Sequence, residues 1–360
     1  ANDIGVLQDF NIVEDATGAA SLGINAGVDI DLGGNTYTNL ITAVKSGAVS
    51  QATLDRSVGN VLRQKIASGI FDNPMTDPEN TKELDNDKNR MLAKEAALQG
   101  VILLQNDGSS PLDVSKLKSI AVIGPNGDGP AAEKNQLGSY TSYGAKVTTV
   151  FEAIQQDVGS KISVKYLEGA PTDSKDTSKV EDAVKLAEAS DATILVIGDS
   201  LHTSAEWGDR ANLDLPGGQM ALLTQVAAAN KKSGKPTIVV LIHGRTVTFG
   251  EGNAVLANIS TLFSAWRPGE EGGSAIWELI SGVRNPSGKT TRSWVRTVGQ
   301  VGGPSNPWYS LTEGKWLANF KTEYRQYVFQ PSTPLFPFGY GLSYSSFTFS
   351  NPTASISGSK

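Results

Sequence analysis

One acid is set apart for chemistry in the polar stretch between Asp199 and Leu215. It is Glu206, in Ser204-Ala-Glu206-Trp207-Gly-Asp209-Arg210, with an indole beside it and an Asp-Arg pair close behind. The stretch follows the apolar run Ala192-Thr-Ile-Leu-Val-Ile-Gly198 and precedes a helical pattern beginning near Gly217, so it reads as a long loop leaving the carboxyl end of a strand. In open α/β sheets that edge is where ligands bind. The plainer alternative is one more solvated acid among 37 Asp and Glu residues.

Other chemistries fit less well. Gly124-Pro-Asn-Gly-Asp-Gly129 follows a strand, but it matches neither phosphate-binding glycine pattern, and Pro125 removes a backbone donor that a phosphate cradle needs. No G-x-S-x-G elbow follows a strand. The absence of Cys excludes disulfides and thiolate chemistry, and the two histidines, His202 and His243, make a His-rich metal site implausible. His243 ends a strand and reads as a packed or edge histidine. Carboxylate chemistry remains. Hydrolysis of a glycosidic bond uses two carboxyl groups, one giving a proton and the other attacking the sugar or activating water. Indole and phenol rings pack on the apolar faces of sugar rings. Glu206 with Trp207, Asp209 and Arg210 therefore fits the proton-donor side of such a site, and no metal or cofactor is called for.

The elements that must position this loop follow from periodicity. Residues 1–71 read as helices over Glu14–Leu22, Tyr37–Ser46 and Ser50–Ser68, with a short strand expected in Gly23–Leu32. So few elements cannot close a core, and the segment reads as the tail of a larger α/β unit. Residues 72–89 are charged, carry two prolines and have linker composition. Over 90–350, strands are expected at Val101–Gln105, Lys118–Gly124, Ile162–Leu167, Ala192–Gly198, Thr237–Ile242 and Ser260–Ala265. Helices are expected at Arg90–Gly100, Thr148–Val158, Val180–Ala189, Gly217–Lys231 and Gly272–Gly282. Unbroken apolar strands joined by helix-length crossovers indicate an α/β fold, a mostly parallel sheet sandwiched by helices. Right-handed crossovers then gather Glu206, Asp209, Arg210, Arg245 and Arg267 on one edge. After residue 283 the chain becomes irregular and aromatic-rich (Trp294, Trp308, Tyr309, Trp316, Tyr324, Tyr327), a wrapping segment expected to pack on the sheet. Residues 351–360 read as a frayed tail.

Composition narrows the class. At 360 residues, two domains are expected. A net charge of −6 argues against a nucleic-acid binder, which needs a basic face. No apolar run approaches the roughly 20 residues of a membrane span. Ala1-Asn-Asp-Ile-Gly opens with no basic segment followed by an apolar stretch, so no signal peptide is expected in this chain.

Several segments, in order, carry a resemblance. Ala26-Gly-Val-Asp29-Ile-Asp31, Lys65-Ile-Ala-Ser-Gly-Ile-Phe71, Leu92–Asn106, Ser204-Ala-Glu206-Trp-Gly-Asp209-Arg210, Pro268-Gly-Glu-Glu-Gly-Gly273, Asn285-Pro-Ser-Gly-Lys289 and Phe336-Pro-Phe-Gly-Tyr-Gly-Leu-Ser-Tyr344 resemble signatures of the β-glucosidases of glycoside hydrolase family three. The resemblance covers essentially the whole chain. It implies that residues 1–71 are the last βα units of a (β/α)8-type barrel, that 90–350 form the α/β-sandwich domain, and that 351–360 lead toward a further domain. It implies a retaining hydrolase acting on β-glucosides or cello-oligosaccharides, with Glu206 as general acid/base. Trp207, Asp209, Arg210 and Tyr140, which stands where the family often has Trp, would line the substrate, and no cofactor is implied. The nucleophilic Asp is expected immediately before Ala1, with the amino-terminal half of the enzyme as a possible separate chain, and the location is expected to be secreted or periplasmic. Gly244-Arg-Thr246 and Gly288-Lys-Thr-Thr-Arg292 depart from the family pattern and leave specificity open. The alternatives are β-xylosidase specificity within the family, or a noncatalytic carbohydrate-binding or structural piece.

Overall fold

The computed structural model describes residues 3–141, 145–206, 208–301, 331, 333–348 and 350–353. They form two compact units, residues 1–84 and 85–360. In the first unit the regular elements are helical: α1 (Val6–Asp9), α2 (Ala16–Asn25), α3 (Leu40–Lys45) and α4 (Gln51–Ala67). Asp15 caps α2 by accepting the Gly18 N–H at 2.7 Å, and Ser50 caps α4 through the Thr53 N–H at 3.0 Å. A small core of Ile24, Ala43 and Val49 gathers Tyr37, Leu40 and Leu54 around it. The strand expected in Gly23–Leu32 does not form: residues to Asn25 finish α2, and the rest is coil. Gly27 within it (φ 97°) and Gly33 just after it (φ 71°) turn the backbone, and among the described residues no neighbouring strand takes its hydrogen bonds.

The second unit is built on six strands: β1 (Ile102–Asn106), β2 (Ser119–Ile123), β3 (Ser163–Leu167), β4 (Ala192–Gly198), β5 (Thr237–Ile242) and β6 (Thr261–Trp266). Their order is β1-β6-β5-β4-β2-β3. All neighbours run parallel except β1, which pairs antiparallel with β6. Side chains alternate across the sheet as strand geometry requires. Ile194 and Val196 of β4 join α5 (Asp87–Gly100), α7 (Val150–Val158) and α10 (Gly272–Ile280) on one face. Leu195 and Ile197 join α8 (Val180–Glu188) and α9 (Gln219–Lys232) on the other. Every residue of β4 is buried, so its continuous apolar run follows from having a covered sheet face on both sides. A further helix, α6 (Pro130–Leu137), was not expected from the pattern. It lacks an apolar stripe because its inward face buries Asn135 and Gln136 beside the small Ala132.

The topology decides where the long loop lands. From β2 the chain crosses by α7 to β3 at the sheet edge, whereas from β4 it crosses by α9 on the opposite face to β5. The two paths diverge between neighbouring strands β2 and β4, so a crevice opens at their carboxyl ends. Phe336 lies in the core and Leu342 bridges to Leu103, so the described part of the final segment packs on the sheet as expected. Trp308, Tyr309, Trp316, Tyr324 and Tyr327 lie outside the described residues.

Candidate active site

The loop leaving β4 begins at a close crossing of backbones. Gly198 has φ 137°, and a Cβ there would lie 2.0 Å from the Ile242 carbonyl oxygen. Gln219, at the start of α9, binds both backbone groups of Gly198 through its side-chain amide, each at 2.8 Å. The loop ends at Asp214, whose carboxylate accepts from Thr248 Oγ1 at 2.5 Å and from the Gly250 N–H at 3.0 Å.

Between these ends the loop is held mostly from beneath. Asn126, in the loop after β2, donates from its Nδ2 to the Asp199 carbonyl at 3.2 Å. Its Oδ1 accepts from Asn135 Nδ2 at 2.8 Å, and Asn135 Oδ1 accepts the Leu201 N–H at 2.9 Å. The glycine-rich turn that resembled a phosphate loop thus braces the neighbouring loop. Arg267 donates to the Ser204 carbonyl at 2.9 Å and to the Asn135 carbonyl at 2.6 Å, while Arg245 donates to the Gly208 carbonyl at 2.9 Å. Arg210 binds Asp199 Oδ1 at 2.7 Å with one Nη and the Asp214 carbonyl with the other.

Glu206 therefore rides at the crest of a staked loop and is exposed. Its carboxylate accepts a hydrogen bond from the Tyr140 hydroxyl. That bond and the carboxylate's charge hold the Tyr140 phenol above its usual range, so it stays a donor through neutral pH. Glu206, Asp209 and Arg210, with His202 and Thr203, line an open depression of about 450 Å³. Of the five residues singled out by sequence, the structure brings Glu206, Asp209 and Arg210 to one depression and Tyr140 into contact with Glu206. Trp207 lies outside the described residues. Arg245 and Arg267, expected on the same edge, are turned under the loop, where each holds one of its carbonyls and Arg267 also holds that of Asn135 in α6.

Sequence reasoning passed over Asp199. It is fully buried, and its Oδ2 accepts the Gly244 N–H at 3.2 Å. Burial pushes its carboxyl above the usual range, opposed by the Gly244 N–H and by the charges of Arg210, Arg245 and Arg267. Burial likewise lowers Arg210 and Arg267. The only available signal was its place as the first residue after the strand. His243 is packed, as expected, with its ring 4.5 Å from Trp266 and 5.3 Å from Trp294. Its Nδ1 donates to the Arg245 carbonyl at 2.6 Å and its Nε2 accepts from Ser264 Oγ at 2.8 Å, which satisfies one neutral tautomer completely. Burial drives its pKa down to about 4.

With the switch-point sheet and the loop acid in view, comparison with known proteins gives the family. The glycosyl hydrolase family 3 C-terminal domain matches residues 101–344, and the chain belongs to that family. A β-xylosidase from Formosa agariphila is 38% identical over 366 residues, which cover 98% of this chain and 48% of that protein. The periplasmic β-glucosidase of Salmonella typhimurium is 30% identical over 395 residues, covering 98% and 49%. The solved β-glucosidase from Erythrobacter marinus shares the architecture at a TM-score of 0.79 and 30% identity, over 96% of this chain and 47% of that one. The chain spans about half the length of the curated relatives it matches.

Proposed function

We propose that this chain carries the proton-transferring side of a retaining β-glycosidase site, with Glu206 as general acid/base. The observation that carries the proposal is an exposed carboxylate at the sheet's switch point, held by a phenol above and fixed through its loop backbone below. In a double displacement, a second carboxylate attacks the anomeric carbon while Glu206 protonates the departing oxygen. Glu206 then takes a proton from the water that attacks the glycosyl-enzyme. The second carboxylate is proposed to be an aspartate of polypeptide beyond residues 1–360, on the sequence resemblance and on relatives about twice this length. Asp209 is proposed to meet sugar hydroxyls from the depression. Trp207 is proposed as a ring platform on its sequence position alone. Both Nη groups of Arg210 are engaged by Asp199 and Asp214, so its proposed share is to shape the depression.

The proposed substrates are β-glucosides, including cello-oligosaccharides. β-Xylosides are a second reading, favoured because the Formosa agariphila relative and several others are named β-xylosidases. The kcat/KM ratio for matched aryl β-glucosides and β-xylosides in the complete protein separates the two. A periplasmic or extracellular location is proposed, supported by the relative named periplasmic.

The test is Glu206→Gln in the complete protein. kcat/KM, which reports formation of the glycosyl-enzyme, should fall by about 10²-fold or more for poor leaving groups and little for activated aryl glycosides. Azide attacks without needing deprotonation and should restore turnover of the activated substrates. Equal loss across leaving groups without azide rescue would sink the assignment.

A further inference from the structure

We propose that Asp199 is a positioning residue for Glu206, acting through three guanidiniums that grip the loop backbone on either side of it. The inference rests on the reading of Glu206 as the acid/base and adds how that group is kept in place. Asp199 cannot reach substrate, because it is 0% exposed beneath the loop. Its Oδ1 holds Arg210 at 2.7 Å, its Oδ2 holds the Gly244 N–H at 3.2 Å, and Arg245 and Arg267 both lie within its field. All three guanidiniums also hold carbonyls of the loop, Arg267 holding Asn135 of α6 besides. Arg267 takes the Ser204 carbonyl and Arg245 the Gly208 carbonyl, the residues two before and two after Glu206. Arg210 takes the Asp214 carbonyl at the loop's end.

The charge balance makes Asp199 the keystone. Arg245 repels both Arg210 and Arg267, and Asp199 is the carboxylate that attracts all three. Asp214 adds its attraction for Arg210. Without the Asp199 charge, three partly buried cations face one another, and the arrangement that relaxes them draws the guanidiniums away from the carbonyls they hold. A carboxylate displaced by about 1 Å from its reacting position loses on the order of 10²-fold in rate, so a defect here reaches chemistry without touching substrate.

The decisive variant is Asp199→Asn, which keeps the shape and removes the charge. In the complete protein, kcat/KM for poor leaving-group glycosides should fall roughly 10- to 100-fold, while activated aryl glycosides change by less than about 3-fold. In the chain itself, amide exchange of residues 201–206 should quicken while β4 and β5 stay protected. A loss equal for both leaving groups, or unchanged exchange in the loop, would overturn the inference. If Asp199→Asn does not fold, Arg245→Gln removes the hook on Gly208 and should give the same leaving-group split. Absence of that split overturns the inference equally. Failure is separable from failure of the Glu206 assignment: Glu206→Gln showing its split and azide rescue, beside an Asp199→Asn without one, leaves Glu206 standing and removes Asp199.

Discussion

Glu206 and Tyr140, the pair at the centre of the proposed chemistry, are both exposed. Tyr140 is 86% exposed, so its hydroxyl does little for stability and its contact with Glu206 is a site contact. Tyr140→Phe should lower kcat/KM for poor leaving-group glycosides several-fold and leave the melting temperature within about 1 °C, as exposed substitutions do. Steady-state kinetics beside thermal unfolding checks both halves. How much of the site was legible differs residue by residue. Glu206 could be found because its neighbours and the preceding strand are local. Arg245 and Arg267 could be named as edge residues, but their work lies in pairings across 37 and 63 positions, Arg245 with Gly208 and Arg267 with Ser204, which no local spacing encodes.

At the scale of elements, β4 and the turn behind it set the loop's origin. Gly198 is required twice over, by its φ of 137° and by the Ile242 carbonyl in the space a Cβ would fill. Gly198→Ala should cost ~3 kcal/mol or more, from overpacking added to backbone strain. Gly234 also has positive φ (67°), but no atom lies within 4 Å of the point a Cβ would occupy, so Gly234→Ala should cost only ~1 kcal/mol. Denaturant unfolding of the two variants separates steric from dihedral cost. All six strands were readable: β2, β4, β5 and β6 because a strand covered on both faces writes its burial as an apolar run, and β3, exposed at the sheet edge, through its β-branched and aromatic residues. Helix α6 was not, since polar Asn135 and Gln136 fill its buried side. The Gly129-Pro130 start, with Pro in the first turn, was the signal that could have marked it. The strand expected over 23–32 is absent because a run of Ile and Val among acids and glycines does not by itself make a strand. A partner must take its hydrogen bonds.

For the molecule as a whole, the buried His243 makes stability depend on acidity. Its folded pKa of about 4 lies below the ordinary 6.5, so both states are neutral above pH 6.5 and its contribution is complete there. As pH falls toward 4, the unfolded chain gains a proton that the folded one refuses, and up to about 3 kcal/mol is lost. Arg267 and Arg292 face the ring and push the same way. Asp199 acts in the opposite sense: its carboxyl is raised, so its contribution is full below the usual carboxylate range and is lost as pH rises. Melting curves between pH 4 and 7 should therefore flatten in His243→Gln relative to the parent, and an unchanged slope would show that other groups govern the acid limb. The carbonyl anchors at Ser204, Gly208 and Asp214 have a further consequence. A guanidinium that holds a peptide oxygen is indifferent to the side chain attached to that peptide, so the frame of this loop and its vocabulary are separable. Thr203 still serves the frame, since its Oγ1 accepts the Ser200 N–H at 2.8 Å, but no such tie binds the side chains of His202 and Asp209 among the described hydrogen bonds. Exchanges at those two positions should therefore alter the wall of the depression while the backbone of the loop keeps its path.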